Sequence, residues 1–191
     1  MTSLRLKNIS IIRGDNHTAR NLSIEFRKGK VHAILGPNGV GKSSLLKAIF
    51  GEIGLRSGQI EYGNEQMNKL SLREWRKPFG YMPQDTSIPA SLTVLEVVLL
   101  GQLNALYMHV SEHILQRALE AMDKVGCLHL AQRDIQSLSG GQRQLVLFAQ
   151  VILGSPEILM LDEPVLSLID HRHCRRTEKG RVRERAGHNK E

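Results

Sequence analysis

The feature that most constrains this chain is a glycine-rich segment at residues 36–43, with the sequence GPNGVGKS. It fits the pattern of a glycine, four further residues and then Gly-Lys-Ser, which forms a phosphate-binding loop between a strand and a helix. The mostly apolar run at residues 31–35 is predicted to be that strand, and residues 42–50 have helix-forming content. The segment therefore predicts an α/β protein that binds a nucleoside triphosphate.

The chemistry of this loop follows from its residue types. Glycines let backbone N–H groups turn toward phosphate oxygens, and the following helix adds the positive end of its dipole. Lys42 is expected to neutralise the β- and γ-phosphates, and the Ser43 hydroxyl is expected to ligate Mg²⁺. The predicted nucleotide-binding residues of this segment are Gly36, Pro37, Asn38, Gly39, Val40, Gly41, Lys42, Ser43 and Ser44.

A pair of carboxylates, Asp162 and Glu163, directly follows the apolar run at residues 158–161. This run reads as a buried strand, and ligands of open α/β sheets gather at the carboxyl ends of strands. Asp162 is predicted to hold magnesium, directly or through water, and Glu163 to polarise the attacking water. An acidic pair alone is more often a turn or a helix cap, but the phosphate loop favours the catalytic interpretation.

Residues 138–142, with the sequence LSGGQ, form a second candidate anion site. Ser139 is well placed to cap a helix that starts near Gln142. Gly140 and Gly141 would expose backbone N–H groups at the amino end of that helix. One chain thus offers two half-sites for phosphate.

This pentapeptide is the signature of the nucleotide-binding subunit of ABC transporters, a family that the chain resembles over about residues 4–170. The phosphate loop, Gln84 within YMPQ, the signature and the carboxylate pair occur in the family's order. The resemblance implies a transport-coupled ATPase with ATP and Mg²⁺ as cofactors. It implies a head-to-tail dimer, as a homodimer or with a paired ABC subunit. In such a dimer one subunit closes over ATP held by the other through Ser139, Gly140, Gly141 and Gln142.

By the same resemblance, Gln84 senses magnesium and the attacking water and links the site to a helical insertion that contacts a membrane permease. The sequences at residues 80–84 and 92–101 look most like the ATPases that energise uptake of iron-siderophore complexes, haem or cobalamin. The alternative is that residues 92–100 are simply an apolar helix that any relative would need. The implied location is the cytoplasmic face of the membrane, as a peripheral subunit.

The remaining pattern predicts the architecture around these motifs. Alternating apolar residues at 4–9 and 22–26 indicate an N-terminal antiparallel β region, and further strands are expected near 59–62 and 79–82. A helix capped by Ser111 and a second helix from Gln142, with one face formed by Leu145, Phe148, Ala149 and Ile152, are also predicted. We expect a phosphate-loop NTPase core at residues 1–170 with a helical insertion at about 86–140.

The net charge of +7 is concentrated at the end of the chain. Residues 171–191 hold eight basic and three acidic side chains, a net of +5, which leaves only +2 for the rest. A basic tail of this kind is usually solvated chain, so no specific nucleic-acid partner is expected. Apolar runs such as residues 145–149 are far too short to span a membrane, and no secretory signal is visible, so a cytosolic chain is predicted.

Departures from the family pattern cluster in two places. No aromatic residue for stacking on adenine occurs around Arg13, and the segment at residues 165–170 is one residue longer than the family's usual loop. The resemblance then stops, and the tail lacks the next core strand and its switch histidine. The tail's own histidines have neither the distance nor the setting of that residue; they are His171, His173 and His188.

These departures favour a chain that is truncated at its C-terminus, with ATP hydrolysis impaired. Two alternatives to a working importer subunit stay open at this point. One is a truncated, hydrolysis-impaired ABC ATPase whose tail arises from a shifted reading frame. The other is a soluble ABC ATPase that acts on nucleic acid or ribosomes. Cys127 and Cys174 are expected to be ordinary reduced thiols.

Overall fold

A computed structural model describes residues 3–13, 16–85, 88, 90–105 and 110–163. The side chain of Arg13 and the segment at residues 165–170 lie outside the described residues. So does the predicted tail at residues 171–191, with its three histidines and Cys174. The predicted domain boundary at residue 170 and the tail therefore stay predictions.

The N-terminal region contains an antiparallel sheet, as predicted. Its strands are β1 (Ser3–Arg13), β2 (Asn16–Arg27), β3 (Ser57–Tyr62) and β4 (Glu65–Gln66), in the order β2-β1-β3-β4. Apolar residues face each other across the first pair, with Leu4 opposite Phe26 and Leu6 opposite Ile24. This alternation places one face of the sheet in the core, where Leu4 and Leu6 are buried.

A bulge in β1 changes the register of this sheet. The pairing shifts after Leu6 on one side and after Lys7 on the other, and Asn8 has a positive φ of 49°. Gly58 of β3 passes directly beside the bulge with φ of 85°, and a Cβ there would lie 2.4 Å from the Asn8 carbonyl oxygen. Glycine is therefore required at this position by both conformation and space.

The phosphate-loop core combines α1 (Lys42–Ile49), α2 (Leu72–Arg76), β5 (Phe79–Met82) and β6 (Ile158–Leu161). The last two strands pair in parallel, with Phe79 opposite Ile158 and Met82 opposite Leu161. Both strands match the predicted ranges, although β6 is only half-buried, since Leu159 is 39% exposed. Parallel pairing brings the residues that follow both strands to one edge of the sheet.

The prediction of a strand at residues 31–35 is wrong. These residues form no strand, and the side chains of Val31 and Leu35 are 100% and 89% exposed. Only Ile34 packs against the core. A buried parallel strand needs a hydrogen-bonded neighbour and cover on both faces. The parallel sheet of the described residues contains only β5 and β6, neither of which pairs with this run.

Two helices, α3 (Val94–Leu99) and α4 (Glu112–Lys124), lie in the part of the chain where the insertion was predicted, and α5 (Gly140–Leu153) follows it. Ser111 caps α4 as predicted, through a hydrogen bond from the Ile114 N–H. Short 3₁₀ turns connect the helices at Leu100–Ala105, Leu128–Leu130 and Ile135–Ser137; a further one, Met67–Lys69, follows β4. Within the described residues, no helix has the length and apolar content needed to cross a membrane.

The last helix differs from its prediction in two details. It starts at Gly140, two residues before the expected position, because Ser139 is the residue that caps it. Its most buried face is formed by Val146, Ala149 and Leu153, whereas the predicted face, apart from Ala149, is only partly buried. The last helix packs against both α3 and α4, and these contacts determine which of its faces is buried. Its apolar residues cover too broad a surface for the sequence alone to define that face.

The bulge predicts a stability difference between two glycines. Gly58→Ala is expected to lower the free energy of unfolding by at least about 2 kcal/mol, because alanine would be strained at a positive φ and would collide with backbone. Gly54→Ala is the control, since a Cβ there meets nothing within 4 Å. Denaturant unfolding measures both changes, and an equal response of the two variants would contradict the requirement for glycine.

Candidate functional site

The phosphate loop is exposed and held by glycine conformations. Gly39 and Gly41 have φ values of 81° and 106°, and Gly41 is the residue before the first turn of α1. A Cβ on Gly41 would lie 1.9 Å from Cγ2 of Thr18 on β2, so the sheet supports the loop from behind. The loop therefore presents its backbone to solvent at the amino end of a helix, as a phosphate site requires.

Lys42 lies over this loop. Its ammonium donates hydrogen bonds to the carbonyl oxygens of Gly36 at 2.9 Å and Pro37 at 3.0 Å. An ammonium has three donors, so these contacts leave one for a further acceptor. The lysine charge is thus held at the loop, where a phosphate would meet it.

The Ser43 hydroxyl contacts Asp162 across the core. Ser43 Oγ donates to Oδ1 of Asp162 at 2.8 Å, and the Asp162 side chain is buried, with the residue only 4% exposed. The Asp162 N–H donates to the Met82 carbonyl oxygen at 3.0 Å, which continues the pairing of β5 and β6 by one residue. The predicted metal residues of the loop and of the strand therefore lie side by side.

This donor pair fits Mg²⁺ on geometric grounds. Mg²⁺ is octahedral with oxygen ligands at about 2.1 Å, so two adjacent ligands lie about 2.9 Å apart. The 2.8 Å between Ser43 Oγ and Asp162 Oδ1 is close to that separation. Both atoms are hard oxygen donors, which suits Mg²⁺ and does not suit a soft metal.

Gln84 and Glu163 meet at the same edge of the sheet. Gln84 Nε2 donates to Oε2 of Glu163 at 2.5 Å, so the amide contacts the candidate general base directly. Glu163 is exposed and has a φ of 50°, a left-handed conformation that is uncommon outside glycine. Such backbone strain clusters at functional sites, and here it turns the carboxylate of Glu163 out of the line of β6.

One residue of this site, Tyr81, was not predicted from the sequence. Its hydroxyl donates to Oδ2 of Asp162 at 3.4 Å. Burial, followed by the charge of Asp162, raises the pKa of the Tyr81 hydroxyl above its usual range. The only signal in the sequence was its place on the strand that leads to Gln84.

The signature segment forms the amino end of α5. Ser139 Oγ accepts from the Gln142 N–H at 3.3 Å, and Gln142 Oε1 accepts from the Ser139 N–H at 3.1 Å, which completes a capping box. Gly140 and Gly141 are exposed, and a Cβ at either position would meet nothing within 4 Å. The structure thus leaves open space beside the first turn of this helix.

A glycine-rich loop at a helix start, with a carboxylate pair at the end of a parallel strand beside it, defines a phosphate-loop nucleotide-binding domain. The family model for ABC transporters matches residues 19–166. The chain therefore belongs to the ABC transporter family, in its nucleotide-binding part.

Its relatives include importer subunits. The chain is 39% identical over 178 residues to a hemin import ATP-binding protein of Photobacterium damsela subsp. piscicida, covering 90% of this chain and 66% of the relative. It is 32% identical to an iron(3+)-hydroxamate import ATP-binding protein of Bacillus subtilis, covering 88% of this chain and 63% of the relative. The chain thus spans about two thirds or less of the length of these relatives.

Solved structures share the fold. The dimeric structure of a bacterial ABC transporter cassette superimposes with a TM-score of 0.75 at 27% identity, over 84% of this chain and 74% of that chain. The fold class predicted from the phosphate loop is confirmed by this match, despite the absence of a strand at residues 31–35.

The position of Lys42 predicts its effect on ATP binding. Lys42→Ala removes a charge-assisted contact to phosphate and is expected to weaken ATP binding about 10- to 100-fold. Lys30→Ala, at an exposed residue before the loop, is the control for loss of one positive charge. Calorimetry measures both affinities. Equal affinity of the Lys42 variant and the parent protein would contradict the assignment.

Proposed function

We propose that this chain is the ATP-binding subunit of an ABC importer and couples ATP binding and hydrolysis to uptake of an iron chelate. The observation that carries the proposal is the convergence of the phosphate loop with three further groups at one sheet edge. Those groups are Asp162, Glu163 and Gln84, joined by the two hydrogen bonds described above.

The chemistry assigned to each residue follows from its position. The loop N–H groups and Lys42 bind the β- and γ-phosphates, and Ser43, Asp162 and Gln84 would hold Mg²⁺. Bound Mg²⁺ would supply positive charge against the charge that develops on the phosphates. Glu163 polarises the attacking water, and the Gln84 amide orients its carboxylate.

Assembly completes the site. A Cβ at Gly140 or Gly141 would meet nothing within 4 Å, so there is room beside them for a phosphate or a second subunit. We assign the signature of one subunit to ATP held by the other, in a homodimer or with a paired ABC subunit. The dimeric cassette among the structural neighbours supports this arrangement.

Transport requires a membrane permease as a further partner, with this chain as a peripheral subunit on the cytoplasmic face. The hemin and iron(3+)-hydroxamate import proteins among the relatives support an iron chelate as the transported ligand. The pattern at residues 80–84 and 92–101 points the same way.

Trapping the dimer tests the shared site. Glu163→Gln removes the carboxylate that polarises the attacking water, so the rate of hydrolysis is expected to fall about a hundredfold or more. Dimers are then expected to accumulate when ATP is present. Sedimentation with and without ATP measures the dimer. Asp123→Asn, an exposed carboxylate on α4, controls for the lost charge.

A second substitution makes that test specific to the signature. Gly141→Ala added to Glu163→Gln is expected to abolish the ATP-dependent dimer, because the methyl group would occupy the space reserved for the partner's nucleotide. The melting temperature should be unchanged or higher, since the Cβ meets nothing within the chain and alanine favours helix. Dimers that persist in the double variant would contradict the shared-site arrangement.

Complementation tests the transported ligand. In a bacterium that lacks its own hemin-import ATP-binding subunit but keeps the permease, this chain is expected to restore growth on hemin as the iron source. Lys42→Ala, at the same protein level, is expected to restore none. Growth on iron(3+)-hydroxamate alone would indicate that the transported ligand is an iron(3+)-hydroxamate and not hemin. No growth with either iron source would contradict the importer assignment.

A further inference from the structure

The Asp162 carboxylate receives hydroxyl donors from two different elements. Ser43 of α1 donates to Oδ1, and Tyr81 of β5 donates to Oδ2. The two contacts are unequal, at 2.8 Å and 3.4 Å, so Ser43 holds the carboxylate more tightly. Each oxygen of this buried group therefore has its own partner.

Burial makes these partners necessary. A carboxylate that is withdrawn from water needs hydrogen bonds or a cation to offset the lost hydration. The ion pairs among the described residues involve Glu61 and Glu25, and Asp162 takes part in none of them. Hydroxyl groups are thus the side-chain donors that the structure provides to Asp162.

The two hydroxyls cannot have the same role once a metal is bound. Ser43 Oγ and Asp162 Oδ1 are the atoms that fit Mg²⁺, so the serine would itself be a ligand of the ion. The contact of Tyr81 is on the other oxygen, so it is compatible with coordination through Oδ1. Of the two hydroxyls, the tyrosine is therefore the one that would orient the carboxylate without being a ligand.

We infer that Tyr81 is a positioning residue of the magnesium site, whose hydroxyl holds Asp162 Oδ2 so that Oδ1 stays directed toward Ser43. The inference rests on the proposed function, because that function supplies the magnesium. Residues that orient a metal ligand typically change metal affinity by about 10- to 100-fold when they are removed.

The sheet and the core fix the tyrosine in place. Tyr81 pairs with Met160 in the parallel register, and Asp162, two residues further on, lies on the same face of the sheet. The Tyr81 ring packs on Phe50 just after α1, with ring centroids 5.1 Å apart. Phe50 is itself covered by the Arg76 guanidinium, at 4.6 Å from its ring centre. The aromatic ring is held independently of its hydroxyl.

This packing makes Tyr81→Phe a clean test, because the ring contacts survive and only the hydroxyl is lost. A fluorescent ATP analogue reports binding to the purified chain, titrated with Mg²⁺ and, separately, in EDTA. In Tyr81→Phe, the Mg²⁺ concentration for half-maximal binding is expected to rise about tenfold. Binding in EDTA is expected to stay unchanged, because the phosphate loop is intact.

Tyr62→Phe is the matched control. Tyr62 also donates its hydroxyl to a carboxylate, Oε2 of Glu157 at 2.8 Å, but that carboxylate lies before β6 rather than after it. The Mg²⁺ dependence of ATP binding in Tyr62→Phe should equal that of the parent protein. In Asp162→Asn, adding Tyr81→Phe should have no further effect on the Mg²⁺ dependence, because the tyrosine acts through this carboxylate.

Three results of the binding titrations would overturn the inference. They are an unchanged Mg²⁺ dependence in Tyr81→Phe, an equal loss of binding in EDTA, and a full additional effect in the Asp162→Asn background. If Tyr81→Phe does not fold, Asp162→Asn should restore its thermal transition by removing the buried charge that has lost one of its two donors, and a failure to do so is a fourth result that overturns the inference. If ATP binding by the parent protein does not depend on Mg²⁺, the proposed function is contradicted instead.

Discussion

The hydrogen bond between Ser43 and Asp162 is the contact on which the arrangement of this site depends. It joins the start of α1 to the end of β6, two positions separated by 119 residues in the sequence. Because the carboxylate is buried, losing its partner would leave an unsatisfied charged group in the core, which costs far more than an exposed hydrogen bond. The loop that carries Lys42 is therefore anchored at the end of β6, where Glu163 follows, and the residues proposed for phosphate binding and for hydrolysis keep a fixed relation.

Parallel pairing supplies the second half of this arrangement. With Met82 opposite Leu161, the chains that leave β5 and β6 emerge together, and Gln84 reaches Glu163 directly. A slip of one residue would move Asp162 to the other face of the sheet, away from both Ser43 and Tyr81. The backbone bond from Asp162 to Met82 opposes such a slip. Register thus decides whether the Asp162 side chain faces Ser43 and Tyr81.

The boundaries of several strands and helices could be predicted from the sequence, because a residue with a known capping or strand-ending effect lies at each of them. Pro83 ends β5, the carboxylate pair ends β6, and Ser111 and Ser139 cap their helices, so these boundaries were predicted to within two residues. The prediction of a strand at residues 31–35 was wrong because an apolar run indicates only a preference for burial. A strand also needs a hydrogen-bonded neighbour. Tyr81 was missed for a related reason, since its hydroxyl gains a role only from the register that places Asp162 beside it.

The glycines fall into two groups: some are required by the fold of this chain, and others have no structural reason within its described part. Gly39, Gly41 and Gly58 all have positive φ, and a Cβ at Gly41 or Gly58 would collide with the fold, so those two are explained within the molecule. Gly140 and Gly141 have neither a positive φ nor a close neighbour. Two glycines in a first helical turn cost helix stability relative to alanine, by up to about 1 kcal/mol each. No contact among the described residues requires glycine at these two positions, which is the pattern expected where the backbone is approached by a group from outside the chain.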